Sequence, residues 1–157
     1  DKTMEIERKF LIGGFPTALP LLEEAQVEQG YLAVHPVVRI RRKEKKGVVS
    51  YVLCFKGEGT LAREEIELPL DGPTFTSLSA LLEAPFIRKA YKVYALPDGH
   101  RLEVSCVDDR FFYAEVEFAS VEEANAFVPP DFLGRDITEV PGCSMGEYWV
   151  SRTFPFG

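Results

Sequence analysis

Cysteine is scarce and scattered in this chain. Cys54, Cys106 and Cys143 are odd in number and form no C-x-x-C pair, which argues against both a disulfide framework and a structural zinc site. Histidine is scarcer still: His35 and His100 sit beside turn residues, outside every motif, and read as surface side chains. No apolar run approaches the ~18 residues that a membrane span needs, so no membrane partner is expected. No basic-then-apolar segment opens the sequence, and a cytoplasmic location is expected from that. Positive charge is not in excess either. The formal charge of −7 disfavours nonspecific nucleic-acid binding and confines any polyanion site to a local basic pocket. No linker or low-complexity stretch divides the 157 residues, so a single domain over 1–157 is expected.

What the chain does have is alternation. In Glu5-Ile6-Glu7-Arg8-Lys9-Phe10, read as a strand, Glu5, Glu7 and Lys9 share one face and Ile6, Arg8 and Phe10 the other. One such strand could simply turn its charged side to water. The pattern recurs, however, at Val37 to Lys43, with Arg39 and Arg41 on one face between β-branched neighbours, and at Val48 to Lys56. It returns at Arg63 to Leu68, Phe86 to Tyr94, Arg101 to Cys106 and Phe112 to Phe118. Gln26 to Val34 completes eight expected strands, and Lys45 and Lys46 read as a solvated hairpin tip. Short helices are expected at Leu19 to Ala25, at Thr74 to Ala84 and at Ser144 to Arg152, the last packing through Tyr148, Trp149 and Phe154. Ser120-Val121-Glu122-Glu123 has the spacing of a capping box opening another.

The charged face collects Glu5, Glu7, Glu65, Glu67, Glu103, Glu115 and Glu117 against Lys9, Arg39, Arg41, Lys56, Arg63, Lys89 and Arg101. Two architectures satisfy this. One is an open sheet with helices on its apolar face. The other is a barrel with charges lining its lumen, and about eight antiparallel strands suffice to enclose one small ligand. The acids favour the lumen, because carboxylates paired at i, i+2 suit a divalent cation with oxygen ligands. Bases alternating on neighbouring strands suit several phosphates in a row. Burying so many charges as a purely internal salt-bridge network would be costly. Gly57-Glu58-Gly59-Thr60 is a turn rather than a phosphate loop, since no Gly-Lys-Ser/Thr closes it.

Glu5-x-Glu7-x-Lys9, Gln29-Gly30-Tyr31, Arg39-x-Arg41, Lys56-Gly57, Arg63-x-Glu65-x-Glu67, Lys89 and Glu115-x-Glu117 stand in the order seen in CYTH-domain proteins, the triphosphate tunnel metalloenzymes. The resemblance covers nearly the whole chain. It implies a β-dominated (α+β) fold: an eight-stranded antiparallel closed β-barrel with a charged lumen, flanked by short helices. The implied activity is hydrolysis of inorganic triphosphate, or of a related short polyphosphate or organic triphosphate, with Mg²⁺ or Mn²⁺. A class IV adenylate cyclase and a low-activity polyphosphate-binding module are the alternatives, and the assembly is expected to be a monomer or homodimer.

By matching position, Glu5, Glu7, Glu115 and Glu117 resemble the family's metal ligands, with Glu103 an additional candidate. Lys9, Arg39, Arg41, Lys56, Arg63 and Lys89 resemble its phosphate cradle. Glu65, Glu67 and Tyr31 correspond to groups that orient those bases or the attacking water. There are departures. The family's Lys-Thr-Arg reads Lys89-Ala90-Tyr91, its Trp-Glu-Val-Asp reads Leu102-Glu103-Val104-Ser105, and its Pro-Arg-Tyr-Ser-Asn reads Pro141-Gly142-Cys143-Ser144-Met145. A phenol brings one hydrogen bond to a phosphate but no positive charge at neutral pH. Tyr91→Arg is therefore expected to raise triphosphate hydrolysis about tenfold or more, roughly 1.4 kcal/mol of barrier. Steady-state kinetics of both proteins at saturating metal decide it, and an unchanged or lower kcat/KM refutes it.

Overall fold

The computed structural model describes residues 2–157. In chain order the elements are β1 (Lys2–Leu11), β2 (Leu21–Val34), β3 (Val37–Lys45), β4 (Val48–Lys56), β5 (Ala62–Leu70), α1 (Gly72–Ser79), β6 (Ile87–Ala95), β7 (Arg101–Val107), β8 (Phe111–Glu117), α2 (Val121–Ala126) and α3 (Met145–Ser151). The strands close into one antiparallel barrel in the order β1-β5-β4-β3-β2-β6-β7-β8. The first strand makes the closure. Its N-terminal half pairs with β5, setting Glu5 opposite Arg63, and its C-terminal half pairs with β8, setting Glu7 opposite Glu117 and Lys9 opposite Glu115.

Local chemistry sets the turns. Lys46 and Gly47 both have positive φ (50° and 78°), the geometry of a tight two-residue hairpin between β3 and β4. Asp108 and Asp109 also have positive φ (51° and 55°) in the three-residue turn between β7 and β8, helped by aspartate's tolerance of the left-handed region.

Two apolar clusters cover what the charges do not fill. Outward-facing Phe10, Tyr94, Leu102, Val104, Ala114 and Val116 pack beneath α2 with Ala124, Phe127 and Leu133. At one end of the barrel Tyr31, Ile87, Val107 and Tyr113 pack against Tyr148, Trp149, Cys143 and Phe154. The segment carrying α3 thus seals that end. Ser144 and Glu147 form a reciprocal capping box that fixes where α3 starts. Gly30 lets the seal pack closely: a Cβ there would lie 2.5 Å from Leu82 Cδ1 and 3.3 Å from the Trp149 ring, so Leu82 would have to move aside.

Four expectations need correction. Leu21 to Ala25 is strand, not helix. Leu-Glu-Glu-Ala favours helix locally, but pairing with β6, from Leu21 opposite Tyr94 to Ala25 opposite Tyr91, overrides the preference. The helix expected through Ala84 ends at Ser79, where the chain turns and brings Leu82 over Gly30. At α2 the Ser120 side chain accepts from Glu123 N, while the Glu123 carboxylate meets His100 instead of the cap backbone. His100 is accordingly no plain surface residue. Its Nδ1 lies 2.8 Å from Asp98 Oδ2, its Nε2 lies 2.6 Å from Glu123 Oε1, and its ring meets Phe118 and Phe127 edge-on.

The hydrogen bond to Asp98, then that to Glu123, holds the His100 pKa above its ordinary value. The folded state therefore binds this proton more tightly than the unfolded one. The resulting stability is fully present below about pH 6.5 and is lost as pH rises through the raised folded value. Both carboxylates are partly open to water, which limits the effect to about 1 kcal/mol or less. Melting temperatures over that window should fall by about 2–4 °C less in His100→Gln than in the unaltered protein. An identical fall in the variant would exclude this clamp as its source.

Candidate active site

Alternation on eight strands sends one charged set inward. Glu5 and Glu7 from β1, Glu117 from β8 and their neighbours meet in the lumen, with ligand oxygens of Glu5, Glu7 and Glu117 all within 4.8 Å of one another. Glu7 donates to Glu115, and Glu103 to Glu117, carboxyl to carboxylate. Such pairs persist only if protons are shared. Burial, then Glu115, pushes Glu7 well above the carboxylate range. Burial, then Glu115 and Glu117, pushes Glu103 up to about 8. Burial alone would raise Glu115 too, but Lys9, the hydrogen bond from Glu7, Lys89 and Lys56 hold it at about 2. These are hard oxygen donors without histidine or thiolate, a set that fits Mg²⁺ or Mn²⁺.

The bases form the facing wall. Lys56 Nζ donates to both Glu5 oxygens (2.9 and 3.1 Å) and lies 3.7 Å from Glu65 Oε2, so it spans the acidic and basic sides. Lys89 is buried with Nζ 2.5 Å from the Tyr113 hydroxyl, and burial, then Arg41, holds its pKa well down. Arg41 donates through Nε and Nη2 to Gln29 Oε1 (3.3 and 3.1 Å). Arg39 is 5% exposed, and its Nε has no hydrogen-bond partner among the described residues. A buried guanidinium N–H without an acceptor is costly unless a ligand supplies one.

Other expected residues occupy more particular places. Lys9 Nζ sits 4.1 Å from the Tyr113 ring centroid and donates to the Cys143 carbonyl (2.7 Å), at the sealed end. Tyr31 packs on Trp149, and its hydroxyl accepts from Gln29 Nε2 (3.1 Å). Arg63 Nε is tethered to the Gly57 carbonyl (3.2 Å). Glu65 has an oxygen 3.8 Å from Cys54 Sγ, and Glu67 joins that group from an exposed position. Tyr91 lies in the lumen beside Lys89, as its register requires, and donates to Glu103 Oε1 at 2.5 Å. Ser105 stands directly opposite it.

Several residues in or beside the lumen were given no role in the site from sequence. Gln29 is fully buried and orients both Arg41 and Tyr31. Tyr113 underlies Lys9 and Lys89, and its phase with Glu115 and Glu117 was the available signal. Glu23 was hidden by the helical reading of its segment. Lys45, expected in a solvated tip, instead lies 2.5 Å from Glu23. A cavity of about 60 Å³ lies among Arg41, Lys43, Lys89, Tyr91, Glu103 and Glu115.

No family model matches the chain. It is 34% identical over 138 residues to an inorganic triphosphatase of Nitrosomonas europaea, covering 86% of this chain and 89% of that one. The crystal structure of an inorganic triphosphatase matches with a TM-score of 0.65 and 29% identity over 96% of each chain. A protein from Pyrococcus horikoshii shares the fold, with a TM-score of 0.60 at 19% identity over 77% of this chain and 82% of that one.

Proposed function

Since the chain belongs to the CYTH, or triphosphate tunnel, family, we propose that it hydrolyses inorganic triphosphate inside the barrel with the help of Mg²⁺ or Mn²⁺. The observation that carries this reading is the pairing of opposites in one lumen. Acids gathered closely enough to share protons face a buried arginine whose Nε has no acceptor among the described residues. The first need a cation and the second needs an anion.

Glu5, Glu7 and Glu117 would hold the cation, with Glu115 and Glu103 adjoining. When bound, that ion neutralises charge on phosphate oxygens and lowers the pKa of coordinated water. Arg39, Arg41, Lys56 and Lys89 hold the phosphates, and Arg39 gains the acceptor it lacks. Lys9 extends the cradle toward the sealed end, and Arg63 holds a position beside Gly57. Lys56, fixed between Glu5 and Glu65, passes from a carboxylate to a phosphate oxygen as the chain is threaded. Glu65, Glu67 and Tyr31 are assigned to orienting the bases and the attacking water. Water then forms a bond to the terminal phosphorus, the anhydride bond breaks, and pyrophosphate leaves with the bridging oxygen. Packing at the α3 end keeps bulk water from that side of the lumen.

Glu7→Gln and Glu117→Gln should each remove phosphate release from triphosphate and weaken Mn²⁺ binding about tenfold or more, because an amide lacks the charge a hard cation needs. Calorimetric Mn²⁺ titration and a phosphate-release assay measure the two effects. Full activity in EDTA, or in either variant, would contradict the assignment.

A further inference from the structure

Resting on the triphosphatase reading, we propose that Tyr113 is a positioning residue: its one ring holds the Lys9 and Lys89 ammonium groups together as a clamp for the innermost phosphate. Charge alone would not keep the two lysines side by side. Arg41, Arg39 and Lys9 all repel Lys89, and only Glu115 draws it. The same Glu115 draws Lys9, which Lys56 repels. A lysine is a point charge on a flexible four-carbon stem. Governed by these forces, both side chains would compete for Glu115 rather than stand ready for a phosphate.

Tyr113 supplies what the carboxylate does not, a neutral group that attracts cations at a fixed place. Its ring centroid lies 4.1 Å from Lys9 Nζ and 5.1 Å from Lys89 Nζ, both inside the roughly 6 Å reach of a cation–π contact. Burial removes the competing hydration, which strengthens both contacts. Each amine also has a second anchor. Lys89 Nζ donates to the Tyr113 hydroxyl at 2.5 Å, and Lys9 Nζ donates to the Cys143 carbonyl at 2.7 Å. The ring itself cannot turn away. It stands between Leu11 on β1 and Ser105 on β7, and the Ser105 hydroxyl donates to the phenol. Because position 105 is serine rather than the aspartate of the family pattern, no carboxylate there competes with the phenol for Lys89. A phosphate reaching this end meets two amines already desolvated and held, so little side-chain freedom is lost on binding.

Calorimetry with inorganic triphosphate in EDTA reads affinity on the full chain without turnover, and phosphate release with Mn²⁺ gives kcat and KM separately. Tyr113→Leu removes ring and hydroxyl but keeps an apolar side chain. It should weaken triphosphate about thirtyfold and raise KM by a similar factor. Tyr113→Phe keeps the ring and should recover all but about threefold of that loss. In a Lys9→Gln or Lys89→Gln background Tyr113→Leu should cost only about fivefold, because one of the two held groups is already gone. A lower Tm with Kd and KM unmoved, equal losses in the Phe and Leu variants, or a full thirtyfold loss in both lysine backgrounds would each overturn the clamp. One measurement needs no variant: by NMR the ε-methylene protons of Lys9 and Lys89 should both carry upfield ring-current shifts, and their absence would also overturn it. If triphosphate binding responds as expected but no phosphate is released, the clamp stands and the hydrolase reading fails. If the unaltered chain binds no triphosphate, both fail.

Discussion

Everything in this barrel depends on neutralising charge inside a closed sheet. A carboxylate or ammonium removed from water costs several kcal/mol unless opposite charge or a hydrogen bond meets it. The lumen meets the demand unevenly. Lys56 satisfies Glu5 twice over, Lys9 and Lys89 hold Glu115 ionised, and burial beside other carboxylates keeps protons on Glu7 and Glu103. On the other wall Arg39 Nε goes without an acceptor among the described residues. One side has surplus negative charge and the other surplus donors, and a cation bound with a polyanion relieves both.

The rest of the molecule serves that arrangement. Closure through both halves of β1 brings Glu7 beside Glu117, so the acidic cluster exists only when the barrel is shut. The α3 seal places Tyr31, Tyr113 and Lys9 at the inner end, where apolar packing lowers the local dielectric and strengthens each charge interaction. The charges at the other end remain wetter, as Lys45 and Arg101 show, so the lumen grades from dry to open along its length.

Much of this was legible in the chain because strand alternation is a strong local code. β4 runs over the expected residues, and Glu5, Glu7 and Glu117, picked out by period two, bring carboxylate oxygens within 4.8 Å of one another. The failures share a cause: a decision made far away in sequence. Leu21 to Ala25 contains good helix formers, and only β6, some seventy residues on, makes it a strand; with that reading went Glu23. Lys45 looks like a hairpin tip until Glu23 is placed beside it. His100 looks like a turn residue until α2 brings Glu123 to it. Tyr91 and Ser105, two separate departures from the family pattern in sequence, prove to be cross-strand partners. An arginine and an aspartate facing each other there would cancel, so losing both leaves the lumen's net charge unchanged. The space goes to a phenol that donates to Glu103.

The central claim is that the acidic cluster and Arg39 are two halves of one metal–triphosphate site. Crystals of the Glu65→Gln variant with Mn²⁺ and triphosphate, examined by anomalous diffraction at the manganese edge, test it most directly. The account predicts a manganese ion within about 2.2 Å of oxygens from Glu7 and Glu117, in the range of hard-cation coordination, and a phosphate oxygen within about 3 Å of Arg39 Nε. Manganese outside the barrel, or phosphate bound there while Arg39 Nε keeps no acceptor, would contradict it.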